Sequence, residues 1–352
     1  MSVIVPSYAY TYIKIGFLKQ LLIPSSQLDR LDKSDDIEEL ISTIKPYYPS
    51  LDIKRFTIDE IEHQLYHTYI KLIGKIMSYS PENLRAFLQD YLTQYEVMNV
   101  KQIILGTILG INTKEKRENV NFLVQKYLDR EEFIEDLIKI SSLDEIQLFL
   151  RNTKYNKPVR EGLLSFRNKN EIFVLESFLD QLYYKTLTKE RPNLNKYEKK
   201  KNNLLTHYVT EIYNLRTIYR GIINNIDKNL LSQFLVEGNL FLDNESSMTL
   251  LNQTKLNDFF HLFNSYLRDT DELKSEYRQI TAQMEHPLWE IEKMYQEHFF
   301  TKFELQVDNI DYSTLYRIFE LVIKKEREIQ FYILPNVIRI LHNKFEKLKQ
   351  ME

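Results

Sequence analysis

Two imidazoles stand one helical turn apart at His63 and His67, a spacing that lets one helix face hold a metal ion. The residue after His63 is Gln64, not the glutamate that a zinc-protease helix uses as its general base, and no third ligand is suggested. The other histidines (His207, His261, His286, His298, His342) are scattered and read as surface or packing residues. A second constellation is Asp35-Asp36-Ile37-Glu38-Glu39, which has the form of a carboxylate box that binds magnesium and, through it, a diphosphate. Ser34 precedes it, and acids in that place also stabilise a helix N-terminus through its dipole. The nearest second box, Asn257-Asp258, lacks a matching Ser/Thr and Glu. Helix-start chemistry is the simpler reading. An all-α magnesium-dependent synthase using Asp35, Asp36 and Glu39 is the alternative carried forward.

Several chemistries are excluded by composition. Cys is absent, which removes thiol nucleophiles, disulfides and Cys-based zinc or iron–sulfur sites. No Gly-x-Ser-x-Gly elbow and no glycine-rich phosphate loop occurs, so no nucleotide cofactor is expected. With 47 basic against 50 acidic side chains the net charge is −3, without the basic surplus of a nucleic-acid binder. The 24 Tyr and 20 Phe are then better placed in cores and interfaces than as stacking platforms for bases. The run Lys199-Lys200-Lys201 reads as a solvated helix face. The longest apolar stretch, Ile103–Ile111, is too short to span a membrane, and no basic segment marks a secretory leader.

The elements that must position these residues are helices. Seven glycines in 352 residues is far below the ordinary share of about 7%, and strand-rich folds spend glycine on turns and bulges. Ile61, Leu65, Tyr69, Leu72 and Ile76 recur at helical spacing, as do Leu175, Phe178, Leu179 and Leu182, and Leu315, Ile318, Phe319 and Val322. Thr57-x-x-Glu60 and Ser142-x-x-Glu145 are capping boxes, and Ser80-Pro81 places a cap before proline. Long helices are predicted over 56–79, 81–110, 169–190, 195–226, 272–303 and 312–348, and the fold class is all-α.

A layout recurs along the chain. Tyr95-Glu-Val-Met-Asn99-Val-Lys101-Gln-Ile103 is matched 115 residues later by Thr210-Glu-Ile-Tyr-Asn214-Leu-Arg216-Thr-Ile218. A third copy, Tyr332-Ile-Leu-Pro-Asn336-Val-Ile-Arg339-Ile340, follows after another 122 residues, with Pro335 expected to kink its helix. Each unit opens with a short helix closed by tyrosine: Ile37–Tyr48, Leu143–Tyr155 and Leu256–Tyr266. Self-similarity at this period implies one helical unit used three times, over 1–112, 113–228 and 229–352. Tyr8-Ala-Tyr-Thr-Tyr12-Ile13-Lys14 echoes the end of a unit, so a helix over 5–22 is expected to pack on the last one.

These repeats, the N-terminal Tyr10…Lys14…Leu21-Leu22 helix and the turn Phe234-Leu-Val-Glu-Gly238-Asn-Leu240 together resemble the central-stalk subunit of archaeal- and vacuolar-type rotary ATPases, called C or d. The resemblance implies a funnel-shaped helical protein with approximate three-fold pseudo-symmetry. It implies seating on the cytoplasmic face of the membrane proteolipid ring, receipt of the rotor shaft subunits (D/F type), and transient contact with the stator membrane subunit. Torque would pass through such a part without catalysis, metal, cofactor or nucleic acid. Lys101, Arg216 and Arg339 are expected to face a partner, or else to complement helix dipoles or bridge neighbouring units. Asn99, Asn214 and Asn336 are expected to bond backbone at the unit junctions. A generic helical scaffold, unrelated to ATPases, is the third reading.

Overall fold

The computed structural model describes residues 8–169, 171–189, 194, 196–238, 240–268, 270, 277–304 and 310–349. Among them every regular element is helical. The first third carries α1 (Ala9–Leu18), α2 (Ser25–Leu31), α3 (Ile37–Ile44), α4 (Ile58–Ser78) and α5 (Glu82–Ile108). Next come α6 (Thr113–Glu118), α7 (Phe122–Tyr127), α8 (Glu131–Lys139) and α9 (Leu143–Phe149), then α10 (Asn156–Lys169), α11 (Ile172–Thr188) and α12 (Lys196–Ile223). The last third holds α13 (Lys228–Ser232), α14 (Asn244–Leu251), α15 (Leu256–Arg268), α16 (Pro287–Glu304), α17 (Ile310–Arg327) and α18 (Leu334–Lys349).

Contacts group the chain into two compact units. The first takes residues 1–92, 118–131 and 307–352, and the second takes 93–117 and 132–306. In the first unit α1 lies along α17, while α4 packs on α7, α17 and α18. The helix α4 forms because Thr57 accepts from the Glu60 N–H at 3.3 Å and its predicted stripe, Ile61 to Ile76, is wholly buried. A Cβ at Gly74 would lie 2.0 Å from the Tyr127 ring, so glycine is what lets α7 lie against α4. In the second unit α10 packs along α11, α11 on α12, and α12 against α13, α15 and α16.

Two long helices end in the same way. After α5 the Ile111 N–H reaches the Gly106 carbonyl at 2.8 Å, with Gly110 left-handed at φ 71°. After α12 the Ile226 N–H reaches the Gly221 carbonyl at 3.0 Å, with Asn225 left-handed at φ 52°. Both are Schellman closures, in which a left-handed residue folds the chain back onto orphan carbonyls. They sit 115 residues apart, the offset that also separates Asn99 from Asn214.

The structure corrects several expectations. Residues 277–286 are not helical, and α16 begins only at Pro287. Proline excludes the helical region for His286 before it while fitting the first helical position itself. Residues 272–276 of that expected helix, residues 5–7 of the N-terminal one and the break at Arg191–Pro192 lie outside the described residues. The span 312–348 is not one α-helix: a six-residue π-helix, Glu328–Ile333, separates α17 from α18 just before Pro335. A proline ring clashes with the carbonyl four residues back, and the wider π turn gives it room. Ser80 turns backward, donating to the Ile76 carbonyl at 2.7 Å at the end of α4. Lys201, expected on a solvated face, is 4% exposed, because α12 buries that side while Lys199 and Lys200 stay in water.

Candidate functional site

The three cations singled out by the repeat all reach a carboxylate far away in the sequence, two of them on another helix and one, Asp35, in the loop before α3. Lys101 on α5 binds Asp180 on α11 at 2.6 Å, and Arg216 on α12 forks onto Glu292 on α16. Arg339 on α18 binds Asp35 at 3.1 Å, the Ser34 carbonyl at 2.6 Å and the Asn336 side-chain oxygen. Lys101 and Arg216 come together on the wall of one cleft of about 490 Å³ in the second unit, and Arg339 is in the other unit. Arg220 completes a row of cations there, paired to Glu176 at 3.4 Å and stacked on the Phe173 ring at 4.7 Å. The lining is also aromatic: Tyr184 stacks on Tyr213 at 4.1 Å and meets Tyr183 at 4.7 Å. The Tyr213 hydroxyl is fixed by the Phe234 carbonyl at 3.1 Å. The cleft thus presents guanidinium edges and rigid rings held by neighbours, a surface suited to gripping another protein.

The asparagines are buried but do different things. Asn214 clasps one backbone residue at both ends, donating to the Val236 carbonyl at 2.8 Å and accepting from its N–H at 3.0 Å. Asn264, which the repeat did not single out, clasps Ile280 in the same way at 2.6 and 3.0 Å. Asn336 donates to the Asp32 carboxylate at 2.8 Å, and Asn99 is buried within α5.

Sequence reasoning missed three buried glutamates. Glu96 on α5 accepts from the Tyr155 hydroxyl at 2.6 Å and pairs with Lys154 at 2.9 Å. Glu211 on α12 accepts from the Tyr295 hydroxyl at 2.6 Å and from the N–H groups of Leu240, Phe241 and Leu242. Glu328 accepts from the Ile23 N–H at 2.7 Å, the Tyr48 hydroxyl at 3.2 Å and Lys325 at 2.7 Å. Lys325 also donates to the Leu21 carbonyl at 2.6 Å and lies 3.5 Å from the centre of the Tyr48 ring. Burial pushes the carboxyls of Glu211 and Glu328 and the tyrosines Tyr48 and Tyr295 upward, and it lowers Lys325 to about 8. The signal available in the sequence was spacing: 115 residues from Glu96 to Glu211 and 117 from Glu211 to Glu328. Each glutamate takes its tyrosine from a distant stretch of chain, 59, 84 and 280 residues away.

The metal candidates resolve into local structure. Asp36 caps α3, accepting from the Glu39 N–H at 3.0 Å, and Ser34 donates to the Glu39 carboxylate at 3.2 Å. Burial lowers both His63 and His67, which favours neutral rings. Among the described residues no three His, Cys, Asp or Glu side chains converge on a place for a metal ion.

Fold and site together define a helical protein whose polar groups are spent on holding helices to one another and on one ion-paired, tyrosine-lined cleft. Comparison with known sequences makes the class specific. The profile of the ATP synthase (C/AC39) subunit family matches residues 14–331, and the chain belongs to that family. It is similar to the C subunit of the A-type ATP synthase of Pyrococcus furiosus, with 23% identity over 66% of this chain and 60% of that one. It is also similar to the A-type C subunits of Methanosphaera stadtmanae (21% identity, 76% of this chain and 71% of that one) and Methanosarcina acetivorans (24%, 69% and 67%).

Proposed function

We propose that the chain is the non-catalytic central-stalk subunit of a rotary A/V-type ATPase, linking shaft subunits of the D/F type to the membrane proteolipid ring. In this reading it works at the cytoplasmic face, passes torque for proton or sodium-ion transport, and touches the stator membrane subunit in passing. The observation that carries it is the cleft framed by the Lys101–Asp180 and Arg216–Glu292 pairs in a chain of this family. A socket for a turning shaft needs walls that do not shear. Close-packed helices tied by buried tyrosine–carboxylate bonds supply them. Offsets of 115 residues in helix closures, asparagines and glutamates, followed by 122 and 117 in the last two, support a chain built of three units, 1–112, 113–228 and 229–352.

An affinity pull-down of the tagged protein from gently solubilised native membranes is the test. Recovery of shaft, catalytic and proteolipid subunits is expected, and recovery of none by a folded, monomeric bait would overturn the reading. Swapped pairs resolve the role of the cations. Lys101→Asp with Asp180→Lys, and Arg216→Glu with Glu292→Arg, keep each ion pair; the first exchanges two charges that both line the cleft, and the second reverses the charge that α12 presents there. Melting close to the parent with shaft affinity down about tenfold, a 1.4 kcal/mol loss, is the expected result. Unchanged affinity would restrict these pairs to bridging helices.

A further inference from the structure

α1 is seated by one face and bare on the other. Inward, Ile15 and Leu18 are buried, the Thr11 hydroxyl donates to the Tyr79 carbonyl, and the Arg317 guanidinium lies 3.9 Å from the Tyr12 ring centre. Lys19, just beyond its last turn, binds Glu320 at 2.6 Å. Outward, Tyr10, Ile13 and Phe17 are 59%, 59% and 65% exposed. Their spacing of three and four residues puts all three on one stripe, and the inward contacts fix that stripe as a firm ridge. Single exposed apolar residues are ordinary on a protein surface, whereas three in register on a helix anchored behind them form a patch.

Charge says what the patch fits. The first 28 residues of the sequence contain no aspartate or glutamate and two lysines, Lys14 and Lys19. The Lys14 ammonium stands 5.4 Å from the Tyr10 ring centre and 5.6 Å from that of Tyr79, which meets Tyr10 edge-on at 6.0 Å. Lys75, exposed on α4 one turn before Tyr79, adds a further cation on that side. Phenol and phenyl rings with an aliphatic side chain, rimmed by lysine and free of acids along the helix, are the chemistry of a membrane–water interface. Lysine is depleted at the centres of protein–protein interfaces, which makes a protein partner the poorer fit. No described helix is long and apolar enough to cross a bilayer, so the contact is one of lying on the surface.

We infer that the Tyr10–Ile13–Phe17 face of α1 docks on an anionic phospholipid surface, with the rings and Ile13 entering the headgroup layer and Lys14 and Lys75 meeting the phosphates. This extends the stalk reading without depending on it. The experiment uses the full chain alone, so its failure leaves that reading where it stands.

The experiment is co-sedimentation with vesicles of phosphatidylcholine, and with vesicles in which about one-third of the lipid is phosphatidylserine. A single lysine close to an anionic surface contributes a factor of about five. Retention at least that much higher on the anionic vesicles, falling as salt is added, is the expected result. Ile13→Ser with Phe17→Ser should bring retention down to the phosphatidylcholine level. Both side chains face outward, so the variant should keep the parent's helical circular dichroism and melting point. The inference is overturned if the parent binds neither vesicle, or if the double variant binds as the parent does. It is equally overturned if the only effect of the variant is to disperse self-associated chains, which would make the ridge a protein contact.

Discussion

Lys325 and Glu328 are an ion pair almost without water, and each also has partners of its own. Lys325 would keep the Leu21 carbonyl and the Tyr48 ring, and Glu328 would keep the Ile23 N–H and the Tyr48 hydroxyl. Removing one member of such a pair strands the other, at a cost of about 3–5 kcal/mol, whereas replacing both by apolar groups is often close to neutral. Lys325→Met should therefore lower the urea midpoint strongly, and Lys325→Met with Glu328→Leu should recover most of the loss. A double variant as unstable as the single one would show that the backbone bonds to Leu21 and Ile23 carry the cluster. The pH dependence has a definite sign. Burial lowers Lys325 to about 8 from 10.5, so between those values the unfolded chain holds the extra proton and this group adds stability as pH rises. The parent's advantage over Lys325→Met should widen across that window in melts at stepped pH. None of this could be read from the sequence, because Leu21, Ile23 and Tyr48 lie some 280 to 305 residues away from the pair.

Helix ends were the most legible elements. Thr57 and Ser142 cap α4 and α9 through the N–H three residues on, as their boxes predict, because that chemistry is local. The start of α16 was misplaced because apolar spacing continues upstream of Pro287, while the proline overrules it. The matched closures of α5 and α12 permit a comparison within one chain. Gly110→Ala places a Cβ on a left-handed residue and should cost about 1 kcal/mol, while Asn225→Gly should be neutral or slightly stabilising. Paired denaturant titrations would measure both, and equal losses would mean that side-chain bonds of Asn225, rather than its backbone, hold the second closure. The cations were half legible. Spacing marked Lys101 and Arg216, which do share a cleft, but their carboxylates sit on helices 76 to 79 residues further along, where no local pattern points.

At the scale of the molecule, the first unit is assembled from both ends of the sequence. The repeat foreshadowed that closure only faintly, in the echo around Tyr8–Lys14, since periodicity reports what recurs and not which copies touch. Without residues 310–349 the inner faces of α1 and α4 lose α17 and α18. A chain cut before Ile310 should show rapid hydrogen exchange across α1–α4 while α10–α12 stay protected. Uniform loss of protection would instead mean that the two units fold as one cooperative block.

The bond from Lys19 to Glu320, with the rest of the α1–α17 seam, also sets a timetable for synthesis. A ribosome adding about 5–20 residues per second needs roughly 15–60 seconds to travel from one partner to the other. For most of that interval the nascent α1 has an apolar inner face and only the Tyr79 end of α4 to lay it on. The middle of the chain, by contrast, can complete the α10–α12 packing as it emerges. In this protein α1 is thus translated long before the helix that seats it, and a chaperone that shields α1 would have to stay until α17 is made.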